Sequence, residues 1–229
     1  MSLLHKIYKK LHYNVALPGE KGEYSSGVWQ DAARKKVLDF LKGRSGRILE
    51  IGSGEGLFLA QLAKVAPDSE LYGVDNDNGR LELSKKRLEV ISPGISARLL
   101  FAEAPQLPFA EGYFDATICV NVSLALPSHS AVYATIAEMA RITKKGGVCI
   151  FEYRNAGNPL LVLKYRLAPY YDETVKDHPF TMLKTGMAEK FLSSAGFCIK
   201  RRAYLPEFFE KARWIGRLSP IVVIEAVKI

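Results

Sequence analysis

From Arg47 onward, short apolar runs alternate with longer stretches whose apolar residues recur every three to four positions. The first pattern belongs to buried strands and the second to amphipathic helices. RILEI (47–51) precedes a glycine cluster, and LFLAQLAKVA then repeats its apolar residues at helical spacing. ELYGVD (70–75) leads into a helix from Asn78 to Val90, and ARLLFAEA (97–104) into a loop holding Pro105 and Pro108. FDATICVNV (114–122) is followed by a helix from Ser130 to Ile142, a stop at Gly146-Gly147, and VCIFEY (148–153). Strands that alternate with helices in this way pair in parallel, because a parallel neighbour is reached only through a long crossover. The tail predicts a helix over Gly186–Ala195, a strand FCIKRRAYL (197–205), a helical stretch near 206–216 and a strand IVVIEAVKI (221–229), the two strands closing a sheet begun by the first five.

Ahead of this core, Asp31–Leu41 reads as a helix, and Leu3, Leu4, Ile7, Tyr8 and Leu11 share one face of an earlier one. Residues 1–46 are therefore expected to form a helical cap or lid over a core spanning 47–229. Because Lys6, Lys9 and Lys10 border the apolar face, peripheral membrane contact through residues 1–14 is the alternative. Residues 156–184, rich in Tyr, Lys and Pro, exceed what a compact connection needs and form an insertion of the kind that usually carries function.

Composition removes several classes. With 48% hydrophobic and 24% charged residues among 229, the chain is an ordinary globular one, neither disordered nor fibrous. It has no apolar run long enough to span a bilayer, and lysines occupy the place of a signal peptide's apolar core, so a cytoplasmic location is expected. Cys119, Cys149 and Cys198 are odd in number and set in β-branched or aromatic runs, which predicts buried, reduced thiols and no metal cluster. The net charge of +8 is uneven: residues 47–155 hold eleven Lys/Arg against thirteen Asp/Glu, while 1–46 hold nine against four and 156–229 twelve against seven. Basic flanks suit an anionic partner.

The sharpest local signal is Glu50-Ile-Gly52-Ser-Gly54-Glu-Gly56, where absent side chains let a ligand approach the backbone at a helix N-terminus. Asp75 ends the second strand, from which a carboxylate reaches both hydroxyls of a ribose. Together they predict an adenosine-type cofactor. NAD is disfavoured, since the third small residue of its fingerprint would fall at Leu57, and no GK[ST] follows to make a phosphate loop.

These residues resemble the first motif of the class I S-adenosylmethionine-dependent methyltransferases, an acidic residue followed by G-x-G-x-G. The likeness continues through Asp75, Ala102-Glu103-Ala104, Leu107-Pro108-Phe109, Phe114-Asp115 and Lys144–Gly147, and is nearest to the small-molecule branch with the ubiquinone and menaquinone methyltransferases. It implies an α/β, Rossmann-like, seven-stranded, mostly parallel sheet with helices on both faces and an antiparallel last strand. It also implies that Gly52, Gly54 and Gly56 surround the methionine part of S-adenosylmethionine with Glu50 nearby, that Asp75 binds the ribose, and that Glu103 and the Ala104 N–H hold the adenine. Ser53, Asn76, Val120 and Asn121 complete the expected cofactor set. Ala102, Glu103 and Lys145 depart from the family's usual Gly, Asp and Pro. Asp115 is expected to be structural and His129 a surface residue.

Methyl transfer from a sulfonium asks the protein mainly to align donor and nucleophile and to exclude water. No residue stands out as a general base. Tyr24, Trp29, Tyr153, Arg154, Tyr170, Tyr171 and His178 are the candidates for acceptor binding, and with Lys164, Tyr165 and Arg166 they suit a small anionic, aromatic or sugar-type acceptor. An RNA- or protein-directed methyltransferase and a non-catalytic cofactor-binding module are the alternatives. Nucleic acid is not favoured: the basic residues are scattered, and Val120-Asn121-Val122-Ser123 stands where amino-directed nucleic-acid methyltransferases carry Asn-Pro-Pro-Tyr.

Overall fold

The structure is a computed structural model that describes residues 6–7, 10, 28–91, 97–172, 180–208 and 216–229. Most of the expected first helix, including nearly all of residues 1–14, lies outside these. Seven strands form one sheet: β1 (Arg47–Ile51), β2 (Glu70–Asp75), β3 (Ala97–Phe101), β4 (Phe114–Cys119), β5 (Thr143–Arg154), β6 (Phe197–Leu205) and β7 (Ile221–Lys228). Their order is β3-β2-β1-β4-β5-β7-β6. β1 to β5 pair in parallel, while β7 runs antiparallel to both β5 and β6. The Rossmann-like architecture with an antiparallel last strand is as expected.

Helices cover both faces because each strand has apolar residues on both. One face receives α1 (Val28–Leu41) and α2 (Leu57–Val65) through Ala33, Val37, Phe40, Phe58, Leu59 and Leu62, with Leu88 of α3 (Asn78–Ile91) beside them. The other receives α4 (His129–Ile142) and α6 (Thr185–Ser194) through Val132, Ile136, Met139, Ala188 and Leu192. Between β5 and α6, α5 (Pro159–Tyr171) fills most of the described insertion. Of the expected 1–46 cap, α1 packs on the first of these faces.

Several boundaries differ from the sequence pattern. α4 ends at Ile142 as expected, but Gly146-Gly147 is not what stops it: Thr143 turns extended, its Oγ donates to Met139 O at 2.6 Å, and β5 begins at once. The glycines lie within β5, where the register against β4 shifts between Phe114 and Ala116. A Cβ on Gly147 would stand 2.8 Å from Lys144 O, so only glycine allows that irregularity. β4 ends at Cys119 because Asn121 takes a left-handed φ of 61°. Cys119 and Cys149 are buried free thiols as expected, but Cys198 is exposed, since it points away from the core on edge strand β6.

The sheet order changes direction at β1: β2 and β3 lie to one side and β4 and β5 to the other. In open α/β sheets, ligands bind beyond the carboxyl ends of the strands at such a reversal.

Candidate functional site

The turn after β1 is built by its backbone. The Gly52 and Ser53 amides both donate to Val74 O at 2.8 and 2.9 Å, and the Gly56 amide donates to Ser53 O at 2.9 Å. Gly52, Gly54 and Gly56 all have positive φ. At Gly52 a Cβ would come within 2.2 Å of Val122 Cγ2, so the loops after β1 and β4 approach closely only because no side chain separates them. Beside Gly54, no described residue other than its chain neighbours comes within 4 Å of where a Cβ would be, which leaves an open cradle.

Glu50 lies beneath this turn and is 4% exposed. Among the described residues, its Oε2 has no hydrogen-bond partner. Burial holds its carboxyl well above the ordinary carboxylate range, against the pull of Arg34, a buried guanidinium on α1, and with a further push from Asp75. Ser53 Oγ and Ser123 Oγ are likewise buried without partners.

At the end of β2, Asp75 Oδ2 accepts the Gly54 amide at 2.8 Å and Oδ1 accepts the Asp77 amide at 3.1 Å. Asp75 therefore joins the glycine turn to the start of the α3 segment. Asn76 Nδ2 donates to Glu103 Oε2 at 3.3 Å, so two exposed residues from adjacent loops meet at the same edge.

A second cluster closes the ends of β4 and β5. Glu152, 1% exposed, accepts the Asn121 amide through Oε2 at 2.7 Å and Arg154 Nη1 through Oε1. Arg154 Nη2 donates to Asn121 Oδ1 at 2.9 Å. Burial works against the Arg154 charge, but Glu152 and Tyr165 outweigh it and hold the guanidinium above arginine's ordinary value. Lys164 on α5 is exposed as a residue, yet burial of its ammonium and the charge of Arg154 pull it below lysine's ordinary range. The Tyr165 ring packs at 4.6 Å from that of Phe180.

The structure thus brings Glu50, Gly52, Ser53, Gly54, Gly56, Asp75, Asn76, Glu103, Val120 and Asn121 to one end of the sheet, with Ala104 following β3 at the same end. The acceptor candidates divide. Arg154 reaches the β4 end, and Tyr170 and Tyr171 lie on α5, Tyr171 donating to Lys164 O at 3.2 Å. Tyr153 is a correction: it is fully buried, packs in the core beside Phe151, Leu183 and Ala188, and burial raises its phenol. Successive strand residues face opposite sides, so Arg154 and Tyr153 cannot serve one site together. Trp29 is an exposed residue of α1, and Tyr24 and His178 lie outside the described residues. His129 is a surface residue as expected, its ring bonded to Met182 O at 3.0 Å. Asp115 is structural, holding the Arg47 amide and Lys144 Nζ. Ser123 and Glu152 lie by the ends of the fourth and fifth strands, which the carboxyl-end rule turns toward the pocket from sequence alone, whereas Arg34 on α1 was missed.

Among the described residues, no group of three His, Cys, Asp or Glu side chains converges as metal ligands, and no helix is long and apolar enough to cross a membrane.

Comparison with known proteins agrees with this fold. Residues 48–147 match a family described as a methyltransferase domain. A ubiquinone/menaquinone biosynthesis C-methyltransferase of Burkholderia cenocepacia is 33% identical over 116 residues, covering 50% of this chain and 46% of that protein. One from Burkholderia mallei is 30% identical over 139 residues, covering 58% and 55%. The chain therefore spans about half the length of these curated relatives. Among solved structures, a magnesium protoporphyrin IX methyltransferase from Synechocystis superposes with a TM-score of 0.66 at 20% identity, covering 87% of this chain and 83% of that one. A possible histamine N-methyltransferase from Thermotoga maritima superposes with a TM-score of 0.64 at 17% identity, covering 99% and 100%. At these identities the structural likeness establishes the fold.

Proposed function

We propose that this chain, in which residues 48–147 form a class I S-adenosylmethionine-dependent methyltransferase domain, binds S-adenosylmethionine at the carboxyl ends of β1, β2 and β4 and methylates a small acceptor. The observation that carries the reading is the unpartnered Glu50 oxygen under an open glycine turn, with Asp75 beside it.

The residues fit the group. Arg34 and the Leu59 amide compensate the Glu50 carboxyl only in part, and an amino acid ammonium would supply a partner for Oε2. Each Asp75 oxygen accepts one backbone amide and keeps capacity for a ribose hydroxyl. The cradle beside Gly54 admits a ligand backbone that any side chain would obstruct. Glu103, steadied by Asn76 beyond the end of β3, is the group we propose for the adenine amino group.

When bound, S-adenosylmethionine supplies a methyl carbon on a cationic sulfur. The protein's part is to hold the acceptor in line with that carbon and keep water out. Asn121 and Arg154, fixed by Glu152, border the β4 and β5 ends, and Lys164 and Tyr165 add charge and a ring from α5. This set supports an anionic or aromatic acceptor, whose nucleophile needs no base where it is already ionised.

Thermal unfolding and calorimetry with S-adenosylhomocysteine test the reading, since a ligand of the folded state raises the melting temperature. We expect stabilisation by this ligand and none by NAD, and a loss of about 1–3 kcal/mol of affinity in Asp75→Ala, the scale of charge-assisted hydrogen bonds. Stabilisation by NAD alone, or wild-type affinity in the variant, overturns it. Mass spectrometry of extracts treated with protein and methyl-labelled cofactor then identifies the acceptor.

A further inference from the structure

The insertion helix α5 has an apolar face that the fold does not use. Leu160, Leu163, Leu167 and Tyr170 are 76, 53, 46 and 76% exposed. At 3.6 residues per turn they fall within about 80° of the helix circumference. The opposite side already supplies the packing: Ala168 is buried, Leu161 and Tyr165 are half-buried, and Tyr165 meets Phe180. An outward stripe of four large apolar residues on a single helix needs a partner in a way that scattered surface leucines do not.

The charges around the stripe indicate that partner. PLLVLKYRLAPYY contains no acidic residue, and Arg166 leaves the helix at the border of the stripe, exposed. The N-cap of α5 is tied to a short turn, Gly216–Leu218: Asn158 Nδ2 donates to Leu218 O at 2.6 Å, and Asn155 Nδ2 to Arg217 O at 2.8 Å. That turn presents Arg217 and Leu218, both exposed, beside the first turn of the helix. Residues 156–229 as a whole carry twelve Lys/Arg against seven Asp/Glu. A protein partner with an apolar groove would not require this one-signed border. A lipid surface with anionic headgroups does, because the headgroups lie beside the plane into which the apolar residues insert.

We propose that the outward face of α5 docks on an anionic phospholipid bilayer. The helix lies in the headgroup plane, Leu160, Leu163, Leu167 and Tyr170 enter the acyl boundary, and Arg166 and Arg217 meet phosphates. At thirteen residues α5 is too short to cross the bilayer, so the attachment is peripheral and reversible. α5 leaves directly from the carboxyl end of β5, so docking turns the cofactor end of the sheet toward the lipid. The proposal rests on exposure and charge, and holds whether or not the chain transfers methyl groups.

Flotation of the full chain with phosphatidylcholine vesicles, with and without phosphatidylglycerol, tests it at low and raised salt. The wild type should float with the phosphatidylglycerol vesicles, stay behind with pure phosphatidylcholine, and be released as salt screens the headgroups. A Leu163→Glu/Leu167→Glu variant, altered only at exposed positions, should melt like the wild type and bind at least about tenfold more weakly. Arg166→Glu should weaken binding to the anionic vesicles while leaving the melting temperature unchanged. Failure of the wild type to bind either vesicle overturns the proposal. So does equal binding by the double variant, which would assign attachment to another surface such as residues 1–14. A wild-type dimer that the double variant converts to monomer also overturns it, because a second copy would then be the occupant. Calorimetry with S-adenosylhomocysteine on the same samples reports separately on the methyltransferase reading.

Discussion

Glu50 is buried, so its carboxyl costs stability wherever it must ionise. In the unfolded chain its carboxyl titrates near 4.5, whereas burial raises it well above that in the folded protein. Between those two values the folded chain retains a proton that the unfolded chain has released, so stability falls as the pH rises through that window. Glu50→Gln, which removes the titration and keeps the shape, should therefore raise the melting temperature of the ligand-free protein at neutral pH. The gain should shrink as the pH approaches 4.5, where both states of the wild type are protonated. Melting curves over a pH series check this, and a variant less stable at every pH refutes the account. The clustering of the proposed cofactor residues was legible in the sequence because local spacing sets it: three glycines, a strand-end Asp75 and Glu50 gather at one end of the sheet. Tyr153 and Arg154 were not separable in the same way. They are adjacent on β5, and only the docking of α6 over one face decides that the first is core and the second reaches the site.

At the scale of elements, Glu152 makes the ends of β4 and β5 a single unit, since it holds the Asn121 amide and the Arg154 guanidinium at once. Removing one partner of a buried ion pair strands the other. Glu152→Ala should cost about 3–5 kcal/mol of stability, the range for breaking such a pair, and should release Asn121 from its left-handed turn. Urea unfolding measures the first effect, and amide chemical shifts at 120–123 the second; a change below about 1 kcal/mol would show that water replaces the carboxylate. The succession of strands and helices along the chain was readable from alternating periods, but what ends each helix was less so. Gly146-Gly147 resembles a helix stop, yet Thr143, capping on Met139 and pairing with Phe114, ends α4 four residues earlier. α5 was hidden for a related reason: its apolar residues run around the whole helix, so no inward face stands out in the sequence.

For the molecule as a whole, protection is distributed by position in the sheet. β7 is bonded on both sides and buried from Ile221 to Ala226, whereas β3 is an edge strand only partly covered. Hydrogen exchange should show β7 amides opening only with global unfolding and β3 amides opening locally and sooner. Comparable protection in the two strands would contradict this ordering. The position of β7 has a further consequence in refolding. Among the described residues, β7 is the only strand to which β6 pairs. Until β7 docks, β6 is a bare edge, the kind of strand that other unfinished chains can join. Its centre reads Lys200-Arg201-Arg202, and in the finished protein Arg201 meets Glu225 of β7 while Arg202 meets Glu189 of α6. Before β7 docks, the same three cations make two such strands repel each other, so the residues that later lock the sheet first oppose pairing between chains.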